Sequence, residues 1–457
     1  PSVPTTPLRV HDIKWAGVSA KDKLTQVFAD VAAKGANSLI LSKLDDIAWI
    51  LNTRGSDIEC NPVTLAYLIV EKDSATLYID QDKVSSSDVI DHLNQAGVTT
   101  KDYKEIISGV NSLLDGIMFD PATTSIAVAD AARKFATIET ASPVDLKKAK
   151  KNEKEIQGMR EAHLRDAAAL TKFFSWMDIA TRKGENISEY TAGAELENFR
   201  AMEEGFVEPS FPTIAGEGPN GAIIHYRADK DTARDIKAGS LLLLDSGGQY
   251  DCGTTDVTRV YHFGGDAHQP TDFQKEAYTR VLKGHIALDT AVFPEGTPGH
   301  VLDAYARRYL WEAGLNYLHG TGHGVGAALN VHEGPQSISP RFTNPTPLSA
   351  GMVCSNEPGY YEDNSFGIRI ENLLAVTPKE SNEFNGVKYM GFERLTYVPI
   401  QIKMMKLELL TDEEIEWIND YHSEVWEKVS GRVGDEQIAQ NWLFDNTQPI
   451  ERPAASA

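Results

Sequence analysis
The sequence predicts two regions of different fold class, an α/β region over residues 1–150 followed by an α+β region over residues 151–457. Three observations carry this. Residues 20–135 alternate helix-period and strand-like runs, the pattern of a layered α/β domain. Residues 143–155, PVDLKKAKKNEKE, are polar and basic and read as a connector. From residue 206 onward, strands and Gly/Pro loops mix with the helices rather than alternating with them.

The elements follow in chain order. Residues 22–34 carry Leu24, Val27, Phe28, Val31 and Ala32 at helical spacing. Residues 38–41 form a short apolar run, followed by LDDIAWILNTRGSD. Residues 64–70 and 75–79 read as strands, 87–96 as a helix after a serine-rich start, and 125–128 as another short strand. Beyond the connector, Ile156, Met159, His163, Ala167, Leu170, Phe174 and Met177 recur by threes and fours and predict a long amphipathic helix. Residues 185–203 and 272–292 also read as helices. The closing run WLFDNTQPI offers aromatics for either a surface or a core role.

Composition excludes several classes. The chain has 457 residues, 41% hydrophobic and 24% charged, ordinary for a soluble globular protein with a large core. A net charge of -22 opposes nucleic-acid binding, which relies on lysine and arginine against phosphate. No apolar run approaches the roughly 18 residues of a membrane span, and the first residues show no signal-peptide pattern. Cys60, Cys252 and Cys354 are far apart and cannot all pair, so a reducing, cytoplasmic setting is expected.

The chemistry concentrates in two carboxylate pairs. In DSGGQYDCGTTDV, a hairpin pairing Asp245 with Asp256 centres its turn between Tyr250 and Asp251. Opposed residues share a sheet face with Cβ atoms about 5 Å apart, so like charges there repel unless a cation intervenes. In NEPGYYEDNSFGIRIEN, Glu357 pairs with Glu371 about a loop near Asn364; Arg369 shares the face of Glu371, while Ile368 and Ile370 point to a core. Between the hairpins lies HGTGHGVGAALNVHEGP with His319, His323 and His332; His225 stands earlier in GPNGAIIHYRA. Two aspartates, two glutamates and one histidine suit a two-metal site that activates water and polarises a carbonyl. Taken singly, each residue also fits a bland role: surface turn, core histidine or structural ion pair. A calcium loop of the EF-hand kind is opposed by Tyr250 where glycine is needed, and no HExxH motif occurs.

GPNGAIIHY, LLDSGGQYDCGTTDVTR, HGTGHGVGAALNVHEGP and EPGYYEDNSFGIRIEN resemble the aminopeptidase P family of Xaa-Pro peptidases. LDDIAWILNTRGSDIECNPV resembles that family's creatinase-type domain. The resemblance implies a creatinase-type α/β domain over residues 1–150 and a pita-bread metallopeptidase domain over 151–457. It implies cleavage of the N-terminal Xaa-Pro bond by a hydroxide bridging two metal ions, most often Mn2+, with Zn2+ or Co2+ as alternatives. By the same resemblance Asp245 binds one ion, Asp256 and Glu371 bridge both, and His323 and Glu357 hold the other. Glu357, His225 and His332 take the catalytic roles; His225, His319, His332, Tyr226, Tyr361 and Arg369 take substrate-binding or positioning roles. A cytoplasmic homodimer acting on peptides with penultimate proline is implied, with neither membrane nor nucleic acid as partner. Larger eukaryotic members carry a further N-terminal domain, and this chain begins about where their second domain does. Arg227 and Asn356 depart from the family's usual residues. The rival readings are an Xaa-Pro dipeptidase and a non-catalytic pita-bread binding module.

Overall fold
A computed structural model describes residues 3–452. The chain forms two compact units: residues up to Gly158 together with Gly326–Asn330, and Met159–Val325 together with the residues from Val331 on.

The first unit is built on a six-stranded mixed sheet in the order Val98–Asp102, Ala75–Ile79, Ala66–Glu71, Ser38–Leu41, Ile117–Phe119, Thr137–Glu139. Ser38–Leu41 is buried throughout because both its faces are covered: Leu39 and Leu41 enter one apolar cluster and Ile40 another. One expectation needs correction and one gains detail. Residues 125–128 are not a strand; Ile126–Ala132 is a helix that buries Val128, Ala129, Ala131 and Ala132 on one side. Alanine favours helix, and Val128 alone does not outweigh it. Residues 143–155, read from the sequence as a polar connector, are largely helical. Ser142 accepts a hydrogen bond from the Val144 N–H at 3.2 Å and Pro143 occupies the first turn, starting the helix Pro143–Ala149. Its basic residues misled, because Lys148 is buried at 1% exposure against Asp45, at 2.8 Å.

The second unit packs the long helix Glu153–Lys183, from Met159 on, and the helices Glu189–Ala201, Asp272–Asp289, Asp303–Trp311 and Asp412–Val429 with two larger sheets and three two-stranded ones. A three-stranded sheet runs Ile214–Glu217, Leu241–Ser246, Val257–His262. A six-stranded sheet runs Phe293–Pro294, Val387–Arg394, Asn372–Phe384, Val353–Asn356, Gly322–Gly324, Glu333–Ile338. The closing aromatics divide: Trp442 packs on Phe174 and Tyr261 in the core, and Phe444 is half exposed. The remaining helical expectations hold to within a few residues.

Candidate metal centre
The second carboxylate pair has the register read from its sequence. Asn356 pairs with Asn372 on one side and Gly359 with Arg369 on the other, so the same register runs through Glu357 and Glu371. Asn364 takes the left-handed turn conformation at φ 59°. Ile368 and Ile370 are fully buried in the core, as the alternation requires.

The first pair is shifted. Asp245 pairs with Thr258, not Asp256, and the turn centres between Asp251 and Cys252. Tyr250 explains the slip. Its ring is buried at 1% exposure and its hydroxyl donates to Asp166 at 3.0 Å, so it stays in the strand Gly248–Tyr250 instead of entering the turn. A slip of one residue would have turned Asp256 away, but a slip of two preserves its face. Asp256 therefore lies diagonal to Asp245 on the same side of the sheet.

Histidine enters from the glycine strand Gly322–Gly324. A Cβ at Gly322 would lie 1.9 Å from the Ser355 carbonyl oxygen, so only glycine lets this strand approach Val353–Asn356. His323 Nδ1 donates to the Gly324 carbonyl at 2.9 Å, which leaves the Nε2 lone pair available to a cation. That Nε2 stands 3.4 Å from Asp256 and 3.6 Å from Glu357. Asp256, His323 and Glu371 each bring one donor atom within 4.8 Å of the others. Asp245, Asp256, His323, Glu357 and Glu371 all line one cavity of about 360 Å³, together with His225, His319, His332, Tyr226 and Arg369.

The electrostatics call for a cation. Burial, then the charges of Asp245 and Glu357, push the Asp256 carboxyl well above its ordinary range. Burial and Asp256 do the same to Glu371, and burial raises Glu357. Asp245 Oδ1 is buried without a hydrogen-bond partner, while Oδ2 accepts from Arg369 at 2.5 Å. One guanidinium cannot balance four clustered carboxylates, and uncompensated buried charge is expensive. An oxygen-rich donor set with one imidazole, and one carboxylate oxygen left without a partner, fits hard divalent cations.

The other predicted residues divide by what they touch. Arg369 donates to Asp245 and to the Tyr361 hydroxyl at 2.5 Å. His319 Nδ1 donates to the Gly320 carbonyl, so its Nε2 accepts from Tyr361 at 2.9 Å. Arg369, Tyr361 and His319 thus form one chain anchoring Asp245. Tyr361 is not among the residues lining the cavity; its hydroxyl is engaged by His319 and Arg369 and its ring packs on the core. His332 stacks edge-on against His323 with ring centres 4.3 Å apart. Burial, then the charge of His323, lowers His332 to about 4; burial, then Arg369, lowers His319 to about 4. His225 is exposed on the cavity wall.

Sequence reasoning missed several contributors. Thr258 donates to Glu371 at 2.7 Å and accepts from Arg369 at 3.2 Å. Ser355 accepts the His323 N–H at 2.9 Å and donates to Glu357 at 3.2 Å. Both stand two residues from a ligand on the same strand face, a signal the alternation contains. Phe211, Pro212, Ile214 and Ile224 form an apolar wall that no local pattern marks.

Residues 157–378 match Metallopeptidase family M24, residues 1–155 the Creatinase/Prolidase N-terminal domain, and residues 388–450 the C-terminal region of peptidase M24. Aminopeptidase P2 of Arabidopsis thaliana is 47% identical over 99% of this chain and 68% of its own length. This chain belongs to the Xaa-Pro aminopeptidase family within M24. A probable Xaa-Pro aminopeptidase P of Laccaria bicolor is 45% identical over 98% of this chain and 70% of its own. The X-prolyl aminopeptidase of Caenorhabditis elegans, described as a cytosolic enzyme with a di-nuclear active site, superposes with a TM-score of 0.92. Its identity is 33%, covering 98% of this chain and 74% of that one. The M24 family assignment agrees with a creatinase-type domain followed by a pita-bread domain. No helix among the described residues is long and apolar enough to cross a membrane.

Proposed function
We propose that this chain hydrolyses the first peptide bond of peptides with proline in second position, releasing the N-terminal amino acid. The observation that carries this reading is the convergence of Asp245, Asp256, His323, Glu357 and Glu371 on one cavity shared with three further histidines. Those five side chains would hold two divalent cations, manganese by preference of the oxygen-rich set, with zinc or cobalt as alternatives. Bound there, the ions supply Lewis acidity toward the carbonyl before proline and toward water.

The chain's own groups then divide the work. Glu357, steadied by Ser355, takes the proton of the attacking water as general base. His332, held neutral by its lowered pKa, donates a hydrogen bond to the developing oxyanion. The departing proline nitrogen needs a proton, and His225 on the cavity wall relays it from Glu357. Proline offers no N–H, so shape and apolar contact with Phe211, Pro212, Ile214, Ile224 and the Tyr226 ring select it. A cytoplasmic homodimer belongs to the same reading.

Metal analysis paired with a tripeptide assay tests it. Protein loaded with Mn(II) should cleave Xaa-Pro-Pro, and chelation should abolish the cleavage. Activity confined to Xaa-Pro dipeptides would favour the dipeptidase alternative, and loaded protein inert on every Xaa-Pro peptide would favour a binding module. His332→Ala should keep its metal but lose roughly 10²- to 10⁴-fold in kcat; unchanged kcat would remove His332 from proton and oxyanion chemistry.

A further inference from the structure
The cavity wall that presents His225 is a long irregular segment. Residues 217–234 contain one short 3-10 helix, Gly218–Ala222, followed by turns and irregular backbone. Backbone bonds such as Tyr226 N–H to Ile223 C=O and Ala233 N–H to Asp229 C=O close within the segment. Ile224, His225, Tyr226 and Arg227 line the cavity from it. A segment of this kind needs an anchor if its histidine is to meet a substrate reproducibly.

That anchor is one carboxylate. Glu189 opens the helix Glu189–Ala201 behind the Ser188 cap and is fully buried. Its Oε1 accepts from the Glu217 N–H at 2.6 Å and from Asn220 Nδ2 at 3.0 Å. Its Oε2 accepts from Asn220 Nδ2 at 3.0 Å, the Tyr226 hydroxyl at 2.8 Å and the Arg234 N–H at 2.8 Å. The Glu189 N–H donates in turn to the Arg234 carbonyl at 3.0 Å. Both ends of the segment and the residue beside His225 therefore converge on one side chain. The helix N-terminus favours a negative charge at that place. Arg234 Nε closes the loop's base on Glu217 at 2.6 Å. A second tie is backbone packing: a Cβ on Gly367 would lie 1.7 Å from the Gly221 carbonyl oxygen, so the segment rests directly on the strand Phe366–Arg369.

We propose that Glu189 is a positioning residue: its carboxylate fixes the segment 217–234, and through it His225 and Tyr226, against the cavity. The proposal rests on the peptidase reading for its kinetic consequence, but its structural consequence stands apart. Replacing the carboxylate by an amide turns one acceptor oxygen into a donor facing other donors, so part of the staple opens while the five metal ligands keep their own strands. A displacement near 1 Å of a reacting group costs up to about 100-fold.

The test uses the full chain loaded with Mn(II). In Glu189→Gln, kcat/KM on Xaa-Pro-Pro should fall roughly 10- to 100-fold, carried mainly by kcat, with metal content retained. Hydrogen exchange should rise in 218–234 while Leu241–Ser246 stays protected. Tyr226→Phe should give a smaller loss of the same kind, and the double variant should lose less than the two separate losses combined, because both act on one carboxylate. Exchange in 218–234 unchanged from wild type would overturn the proposal. So would exchange raised throughout the unit with loss of metal, which marks a merely structural role. If Glu189→Gln fails to fold, Tyr226→Phe decides: normal kcat/KM with normal local exchange overturns the staple. Wild-type protein inert on all Xaa-Pro peptides would sink the peptidase reading, and the exchange pattern alone would then decide the staple.

Discussion

Each unit buries a cluster of carboxylates, and the two clusters solve the same problem differently. In the first unit Asp45, Asp46 and Asp145 face two lysines. Lys43 stands 2.7 Å from Asp145, 3.5 Å from Asp45 and 3.4 Å from Asp46. Lys148 adds Asp45 at 2.8 Å and Asp46 at 3.8 Å. The protein's own cations nearly balance that cluster, and its work is to join the helices Leu44–Leu51 and Pro143–Ala149. In the second unit, among the described residues, Arg369 is the arginine in direct ion-pair contact with the cluster of Asp245, Asp256, Glu357 and Glu371, and it reaches Asp245. Buried acids alone therefore do not mark a functional site. A deficit of countercharge inside an open cavity does, because only an added cation can close it.

The contrast breaks most visibly at Asp256. Asp256→Ala should lose at least one bound metal and roughly 10³-fold or more in kcat/KM, several kcal/mol of charge stabilisation, with thermal stability of the chelated protein at neutral pH not lowered. Full activity with two metals bound would remove Asp256 from the centre. Lys148→Met is the reciprocal experiment. It should cost about 3–5 kcal/mol of stability by stranding Asp45 and Asp46, read as a lowered denaturation midpoint, while metal content per folded chain stays the same. A fall in metal affinity with no loss of stability would contradict the division drawn here.

Smaller effects sharpen it. Thr258→Val removes the hydroxyl that donates to Glu371, and should weaken metal binding about 10- to 100-fold, measured by competition with a chelator. The pH dependence should differ least but most diagnostically. Burial, only partly offset by Lys148 and Lys43, raises Asp46 to about 7. A carboxyl raised in the folded state contributes stability present below its unfolded pKa and lost as pH rises through the folded value. For Asp46 that loss runs from about pH 4 to 7, with or without metal. Asp256, Glu357 and Glu371 are raised too, so chelated protein should lose stability over the same rise in pH. There Mn(II) should restore it, and the gain in melting temperature should grow with pH. A metal-induced gain independent of pH would show that those carboxylates are not the ligands.

How much of this was legible follows from the range of the forces involved. The Glu357–Glu371 hairpin was readable because its register depends on one local turn at Asn364 and on alternating isoleucines that need a core. The Asp245–Asp256 hairpin was misread by two residues. Its turn is displaced by the burial of Tyr250, whose partner Asp166 lies in a helix far back in the chain. The helix Pro143–Ala149 was hidden for a similar reason: its lysines look solvated until Asp45 and Asp46 are placed beside them.

The sequence by itself determined the two fold classes, the acidic and histidine side chains of the candidate centre and the strand face each occupies, because alternation along a strand is a local rule of backbone geometry. Only the tertiary structure decided which carboxylates lack a countercharge, that Tyr361 serves Arg369 and His319 rather than the cavity, and that Glu189 gathers the donors of a segment beginning nearly thirty residues later. Countercharge and hydrogen-bond satisfaction depend on distances between groups far apart in the chain, and those distances exist only once the chain is folded.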